Sequence, residues 1–234
     1  MQYKDVPGWF APIDQAAFSW ILQFQNRTGT PGDLLEMGAF KGKSAIVIGA
    51  SRKPGERFTV CDLFDDITTS AAAHDTEKRF FRGQTLTQAE FERNYRAFHA
   101  ELPEILRAPT ATINDHVAAG SCRFVHIDAS HVYDNVREDT QTARRVLREN
   151  GVVAFDDFRK PQTLGTAAAV WEAILNEGLR PIANTDFKLY ASWGDPAPLQ
   201  AEIIRRAAAE AWCRTAAPVM IRDMPMIHLL RNRG

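Results

Sequence analysis

The chain has 234 residues, of which 45% are hydrophobic and 24% charged, and this composition suits one globular domain with a sizeable core. Its 28 basic and 29 acidic side chains leave a net charge of −1, so no overall field would attract nucleic acid or an anionic membrane surface. The three cysteines, Cys61, Cys122 and Cys213, contain no C-x-x-C pair, which favours buried thiols in a reducing compartment over a disulfide framework.

The N-terminal segment and the longest apolar runs bear on cellular location. The segment carries Lys4, Asp5 and Pro7 without the apolar stretch of a signal peptide. No apolar run approaches the ~18 residues that a membrane-spanning helix needs. We therefore expect a soluble cytoplasmic protein.

Short apolar runs alternate with segments of helical spacing up to about residue 194, which predicts a mostly parallel sheet with helices on both faces. The predicted strands occupy residues 33–37, 57–62, 111–113, 122–128, 152–155, 179–185 and 188–193. The predicted helices begin near Pro12, Ser44, Thr87, Val136 and Thr166. A domain spanning residues 1–194 follows from this alternation.

Residues 63–110 form a long connection between the second and third predicted strands. The part from Phe64 to Gly83 is rich in polar residues, alanine and glycine, and it has no clear period. A loop of this length inside a compact domain is often functional, so we expect a lid over a substrate, with a surface excursion as the alternative.

Residues 195–234 lie beyond the predicted sheet and are expected to form an extension packed on the domain or on a partner. Residues 198–213 have the spacing of an amphipathic helix, and residues 219–230 suit a hairpin or a partner-binding segment. The sequence leaves open whether the protein is a homo-oligomer.

A glycine turn follows the first predicted strand in the pattern Glu36-x-Gly38-x-x-x-Gly42, and a helix is expected from Ser44. A strand, a glycine turn and a helix present backbone N–H groups to a ligand, and Asp62 at the end of the next strand suits the ribose hydroxyls of an adenosine ligand. The turn lacks the G-x-G-x-x-G motif of dinucleotide-binding proteins. A nicotinamide oxidoreductase is therefore a distant alternative. The pattern resembles motif I of the class I S-adenosylmethionine (SAM) methyltransferases, which implies SAM as the cofactor.

Acidic residues also follow the later strands, and the carboxyl ends of parallel strands share one edge of a sheet. Asn114 and Asp115 follow the third predicted strand, Asp128 ends the fourth, and Asp156 and Asp157 follow the fifth. Three carboxylates without thiolates suit Mg²⁺, Mn²⁺ or Ca²⁺. The alternative is that these acids make only hydrogen bonds.

Two longer segments extend the resemblance over roughly residues 30–193. Residues 124–133, with the sequence FVHIDASHVY, and residues 151–158, with GVVAFDDF, are similar to the methyltransferase 24 family and to metal-dependent O-methyltransferases of the macrocin and catechol types. This resemblance implies a Rossmann-like class I methyltransferase fold with a seven-stranded, mostly parallel sheet. It also implies Mg²⁺ held by Asp128, Asp156 and Asp157.

The resemblance identifies the general base less directly than it identifies the metal ligands. A catechol-type enzyme has a lysine three residues after the strand-four acid, where this chain has His131, and the aspartate of macrocin-type enzymes is missing. A histidine is mostly neutral at pH 7 and accepts a proton, so His131 is the candidate base, with a structural histidine as the alternative. His126 lies inside the predicted strand and is expected in the core.

These observations together predict a SAM-dependent O-methyltransferase that acts on a small-molecule hydroxyl, a sugar or phenol of a natural product, with Mg²⁺ assisting. The expected cofactor-binding residues are Glu36, Gly38, Gly42, Ser44, Asp62, Asn114, Asp115 and Asp128. The alternatives are a metal-independent N- or O-methyltransferase and a SAM-binding protein without catalytic activity.

Overall fold

Strands and helices alternate along the chain in the computed structural model, which describes residues 1–232. The helices are α1 (Pro12–Arg27), α2 (Lys43–Gly49), α3 (Asp75–Phe81), α4 (Gln88–Arg96), α5 (Ile113–His116), α6 (Tyr133–Val146), α7 (Leu164–Asn176) and α8 (Ala197–Ala208). The strands are β1 (Asp33–Met37), β2 (Phe58–Cys61), β3 (Glu104–Leu106), β4 (Cys122–Ile127), β5 (Leu147–Phe155), β6 (Arg180–Asn184), β7 (Leu189–Ser192), β8 (Cys213–Thr215), β9 (Val219–Ile221) and β10 (Met224–Arg231).

One sheet runs in the order β3-β2-β1-β4-β5-β7-β6-β10-β8, with β9 paired to β10. Strands β1 to β5 are parallel to one another, whereas β7 lies antiparallel between β5 and β6. The strand order reverses between β1 and β4, and ligands bind at such a switch point beyond the carboxyl ends of the strands. The predicted α/β class with a mostly parallel sheet is confirmed.

The sheet is covered on both faces. One apolar cluster joins it to α1, α2, α4 and α8, and a second joins the opposite face to α6 and α7. Burial on both faces explains why all six residues of β4 are buried and why the second half of β5 is a continuous apolar run. Within residues 1–232, no helix combines the length and the apolarity needed to cross a membrane.

The prediction of a third strand at residues 111–113 is wrong. These residues belong to a 3₁₀ turn (Thr110–Thr112) and to the start of α5, whereas β3 lies earlier, at Glu104–Leu106, and pairs with β2. Because β3 is a short edge strand with partly exposed residues, it lacks the buried apolar run on which the prediction relied. Only Ile113 of the predicted run is buried.

The C-terminal segment extends the same sheet. Strand β10 pairs in parallel with β6 through Ile227 and Ala183, and β8 pairs with the other side of β10. Among residues 1–232 the sheet therefore has ten strands, whereas seven were predicted. The free edge of β6 is covered in this way, which removes a row of unpaired backbone groups. The last two residues of the predicted extension, 233–234, lie outside the described part of the chain.

We expect Gly38→Ala to destabilise the fold far more than Gly55→Ala. Both glycines have a left-handed backbone, with φ of +80° and +84°, but a Cβ at Gly38 would collide with the backbone of Asp128 and Ala129, whereas one at Gly55 meets nothing within 4 Å. The free energy of unfolding from urea titration should fall by at least ~2 kcal/mol more for Gly38→Ala. Equal losses would show that β4 does not approach the glycine turn this closely.

Candidate functional site

The glycine turn after β1 is tied to the end of β2. The backbone N–H groups of Ala39 and Phe40 donate to Oδ2 of Asp62 at 2.6 and 3.0 Å, and that of Phe64 donates to its Oδ1 at 2.6 Å. Burial raises the pKa of Asp62 despite these three donors. Phe40 has a positive φ of 48°, which is uncommon outside glycine and occurs often at functional sites. The turn thus holds Asp62 and Phe40 in fixed positions.

Two adjacent cavities lie at this edge of the sheet. The smaller one, of about 100 Å³, is lined by Gly38, Asp62, Leu63, Thr110, Asp128 and Ser130, among others. The larger one, of about 490 Å³, is lined by residues that include Phe40, Ser44, Asp128, His131, Asp156 and Asp157. Phe40, Glu77 and Asp128 line both, so the two cavities are direct neighbours.

The acids that follow β4 and β5 come together as the sequence predicts. The N–H of Asp128 donates to Met37 and that of Asp156 donates to Ile127, so both residues extend the strand ladder by one position at the same edge. Burial and the neighbouring Asp156 raise the pKa of Asp128 well above its usual value. The carboxylates are therefore crowded, and positive charge nearby would stabilise them.

Lys188 supplies such a charge from the start of β7. Its Nζ lies 2.7 Å from Oδ2 of Asp156 and 3.1 Å from Nε2 of His126, and its side chain is buried. Burial alone would lower the pKa of Lys188, but the charges of Asp156, Asp128 and Asp14 raise it above its usual value. Burial would in turn raise the pKa of Asp156, and Lys188 holds it below its usual range. The two side chains form a buried ion pair.

His126 connects this ion pair to β1. Its Nδ1 lies 2.8 Å from Oε1 of Glu36, and burial followed by the charge of Lys188 lowers its pKa. A neutral imidazole with its proton on Nδ1 donates to Glu36 and accepts from Lys188 at Nε2, and this tautomer satisfies both contacts. Glu36, which was expected to contact the cofactor, is fully buried, is bonded to His126 and is not among the residues that line either cavity.

Asp157 faces a different set of partners on the side of the larger cavity. Its carboxylate lies 2.8 Å from Nζ of Lys160 and 3.4 Å from Nε2 of His131, and its backbone has a φ of 54°. His131 is partly exposed to the larger cavity. A carboxylate beside an imidazole orients the ring and stabilises it after it has accepted a proton.

Most of the predicted site residues meet at this edge, and some do not. Residues that line a cavity are Gly38, Ser44, Asp62, Asp128, His131, Asp156 and Asp157. Gly42 instead caps α2, with a φ of 91° and the ring of Phe91 against it.

Asn114 and Asp115 are exposed on α5, since the strand that was to present them lies elsewhere. Asn114 bonds to Thr142 and Arg145 of α6, and among the described residues it is Pro109 and Thr110 that line the smaller cavity in this region. The expectation that Asn114 and Asp115 meet the cofactor at the end of a third strand is thereby corrected.

Sequence reasoning missed Lys188 and Glu77. The sequence does contain a signal for Lys188, since it is a single lysine next to an apolar strand. A lysine buried at such a position requires an acidic partner. Glu77 lies in the long connection, where α3 carries it and Phe80 and Phe81 to the larger cavity. The insertion thus contributes part of the wall of the larger cavity.

Comparisons with known proteins agree with this architecture. A family model described as "Methyltransferase domain" matches residues 35–158, and no curated protein matches the chain. The chain is similar to the O-methyltransferase NovP, at 16% identity over 78% of this chain and 80% of that one, with a TM-score of 0.62. It is also similar to CalS11, a calicheamicin methyltransferase, at 16% identity over 82% and 84%, with a TM-score of 0.56.

A third similar structure is the O-methyltransferase TomG from Streptomyces achromogenes, involved in tomaymycin synthesis and determined in complex with SAM. The identity is 15% over 80% of this chain and 82% of that one, with a TM-score of 0.50. At such identities the likeness concerns the fold.

We expect Lys188→Met to lower the free energy of unfolding by about 3 kcal/mol or more, because Asp156 would remain buried without its partner. Lys160→Met is the matched control, and it should cost less than about 1 kcal/mol because its ion pair with Asp157 is partly solvent-exposed. The double variant Lys188→Met/Asp156→Asn should regain part of the loss in urea titration. Similar losses for the two single lysine variants would contradict a buried pair.

Proposed function

Because the chain belongs to the methyltransferase domain family and is a SAM-dependent methyltransferase, we propose that its acceptor is a hydroxyl group of a small molecule, a sugar or a phenol of a natural product. The observation that carries the proposal is the pair of adjacent cavities, with Asp128 on the wall of both and His131 on the wall of the larger one. NovP and TomG are described as O-methyltransferases, which supports a hydroxyl acceptor.

We assign the smaller cavity and the glycine turn to SAM. Gly38 brings the backbone close to this cavity without a side chain, and Asp62 lies on its wall. Asp62 accepts three backbone hydrogen bonds, whereas a carboxylate has about four acceptor positions. The remaining position suits a ribose hydroxyl. Ser44 and Asp128 line the larger cavity, where the methionine part of SAM would lie.

The larger cavity suits the acceptor. Its volume of about 490 Å³ is within the usual range of small-molecule pockets. Four aromatic side chains form one wall. The ring centroids are 5.2 Å apart for Trp9 and Phe40, 6.4 Å for Phe40 and Phe81, and 5.0 Å for Phe81 and Phe80. This wall suits the apolar body of an acceptor whose hydroxyl faces His131 and Asp157.

The chemistry is an in-line displacement, for which SAM supplies a methyl group activated on a sulfonium. The chain aligns the acceptor oxygen with that methyl group, excludes water and removes the hydroxyl proton. We assign proton removal to the imidazole of His131. The carboxylate of Asp157, 3.4 Å from Nε2, stabilises the imidazolium that forms.

The donor set also suits a divalent cation. Asp128, Asp156 and Asp157 offer only oxygen ligands. A carboxylate oxygen of Asp128, one of Asp156 and a ring nitrogen of His126 all lie within 4.8 Å of one another. We propose that these three residues hold Mg²⁺, which would fix the acceptor oxygen and increase its acidity.

A metal-independent methyltransferase is the second candidate, and one observation favours it. Lys188 already contacts Asp156 at 2.7 Å, and Lys160 contacts Asp157 at 2.8 Å. Two protein cations could therefore neutralise the acids without a metal ion.

Removal of divalent metal separates the two candidates. If Mg²⁺ assists, EDTA should lower the release of S-adenosylhomocysteine by about 10-fold or more, and added Mg²⁺ should restore it. Calorimetry should then detect Mg²⁺ binding that Asp157→Asn weakens. Turnover that is unchanged in EDTA, together with no measurable Mg²⁺ binding, would support the metal-independent candidate.

His131→Ala should lower kcat by roughly 10² to 10⁴, the usual contribution of a general base, with the Kd of SAM unchanged. An acceptor found by screening for S-adenosylhomocysteine release would be used for kinetics, and calorimetry would give the Kd. His116→Ala is the control, since this histidine is exposed on α5. Unchanged turnover in His131→Ala would remove His131 from the mechanism.

A further inference from the structure

Helix α3 lies over both cavities but is weakly held by apolar contacts. All seven of its residues remain at least partly exposed, and Phe80 at its end is 57% exposed. Its aromatic end meets Trp9 and Phe40. A surface helix normally gains its stability from a buried face, so polar contacts must contribute much of what holds α3 in place.

Glu77 makes the polar contact between α3 and the body of the protein. Its Oε2 accepts from the backbone N–H of His74 at 3.1 Å, which closes the first turn of α3. Its Oε1 accepts from the hydroxyl of Ser130 at 2.7 Å and from the backbone N–H of His131 at 3.1 Å. One carboxylate thus joins α3 to the loop that follows β4.

The loop contact goes beyond what a helix cap requires. Capping of α3 uses only Oε2 and the N–H of His74, whereas Oε1 reaches residues more than fifty positions later in the chain. Ser130 in turn accepts from the N–H of Val132 and from the side chain of Asn135. The hydrogen bonds that Glu77 accepts therefore constrain the backbone on both sides of His131.

We propose that Glu77 is a positioning residue: it sets the loop that carries His131 when α3 covers the site. The inference rests on the proposed function, in which His131 removes the acceptor proton. Hydrogen bonds to an ionised carboxylate are short and strong, so loss of this carboxylate frees the His131 backbone. The ring of His131 would then lose its fixed position relative to Asp157 and the larger cavity.

The kinetic test compares Glu77→Ala and Glu77→Gln with Asp75→Ala, which removes an exposed acid from the same helix. Glu77→Ala should lower kcat about 10- to 100-fold with the Kd of SAM unchanged. Glu77→Gln should lose less, because its amide oxygen still accepts from Ser130 and His131, and Asp75→Ala should behave as the unmodified protein. A rise in the Kd of SAM that accounts for the lost turnover would overturn the proposal, since Glu77 would then be a cofactor ligand.

A double variant tests whether Glu77 acts through His131. Glu77→Ala/His131→Ala should have the same kcat as His131→Ala alone, because the loss of Glu77 has no further effect once the imidazole that it positions is absent. Additive losses would contradict the proposal and indicate a separate role for Glu77.

Hydrogen exchange provides a readout that does not depend on turnover. In protein saturated with S-adenosylhomocysteine, the amide of His131 should exchange at least 10-fold faster in Glu77→Ala than in Asp75→Ala. Unchanged exchange would overturn the proposal. If His131→Ala keeps full turnover while this amide exchanges faster, the proposed base fails and the contact from Glu77 stands, so the two failures are distinguishable.

Discussion

The structure depends on the compensation of negative charge at the carboxyl edge of its sheet. Parallel strands that end in acids place Asp62, Asp128 and Asp156 at one edge, and such groups repel one another when they are partly buried. Lys188 offsets this repulsion from within, because its ammonium group is enclosed between Asp156 and His126. The rings of Phe10 and Phe18 lie 5.4 and 5.8 Å from Nζ and complete its surroundings.

The polar chain around Lys188 follows the order of the sheet. Glu36 belongs to β1 and is the register partner of His126 in β4, while Asp156 follows β5 and Lys188 precedes β7. These strands are consecutive neighbours in the sheet. The chain of contacts therefore links Glu36 in β1 to Asp156 on the wall of the larger cavity through neighbouring strands. This arrangement suits a reaction in which alignment provides much of the rate.

Other walls of the larger cavity come from outside the sheet. Trp9 comes from the N-terminal segment and Phe80, Phe81 and Glu77 come from the insertion, and both segments border the larger cavity. Sites in which a rigid scaffold carries some groups and loop segments carry others are common in enzymes. The contact of Glu77 with the His131 loop connects these two parts.

Residue types at strand ends determined much of this protein from the sequence alone. The glycine turn, Asp62, Asp128, Asp156 and Asp157 were predicted at one edge because local patterns mark a strand and its end, and parallel strands share that edge. The edge strand β3 has no such pattern, so the positions predicted for Asn114 and Asp115 were wrong.

The partners of the acids depended on tertiary structure. Lys188 reaches Asp156 because β7 inserts next to β5, and Glu77 reaches His131 because of the path of the insertion. Neither the order of strands nor the path of a long loop is encoded in the spacing of nearby residues.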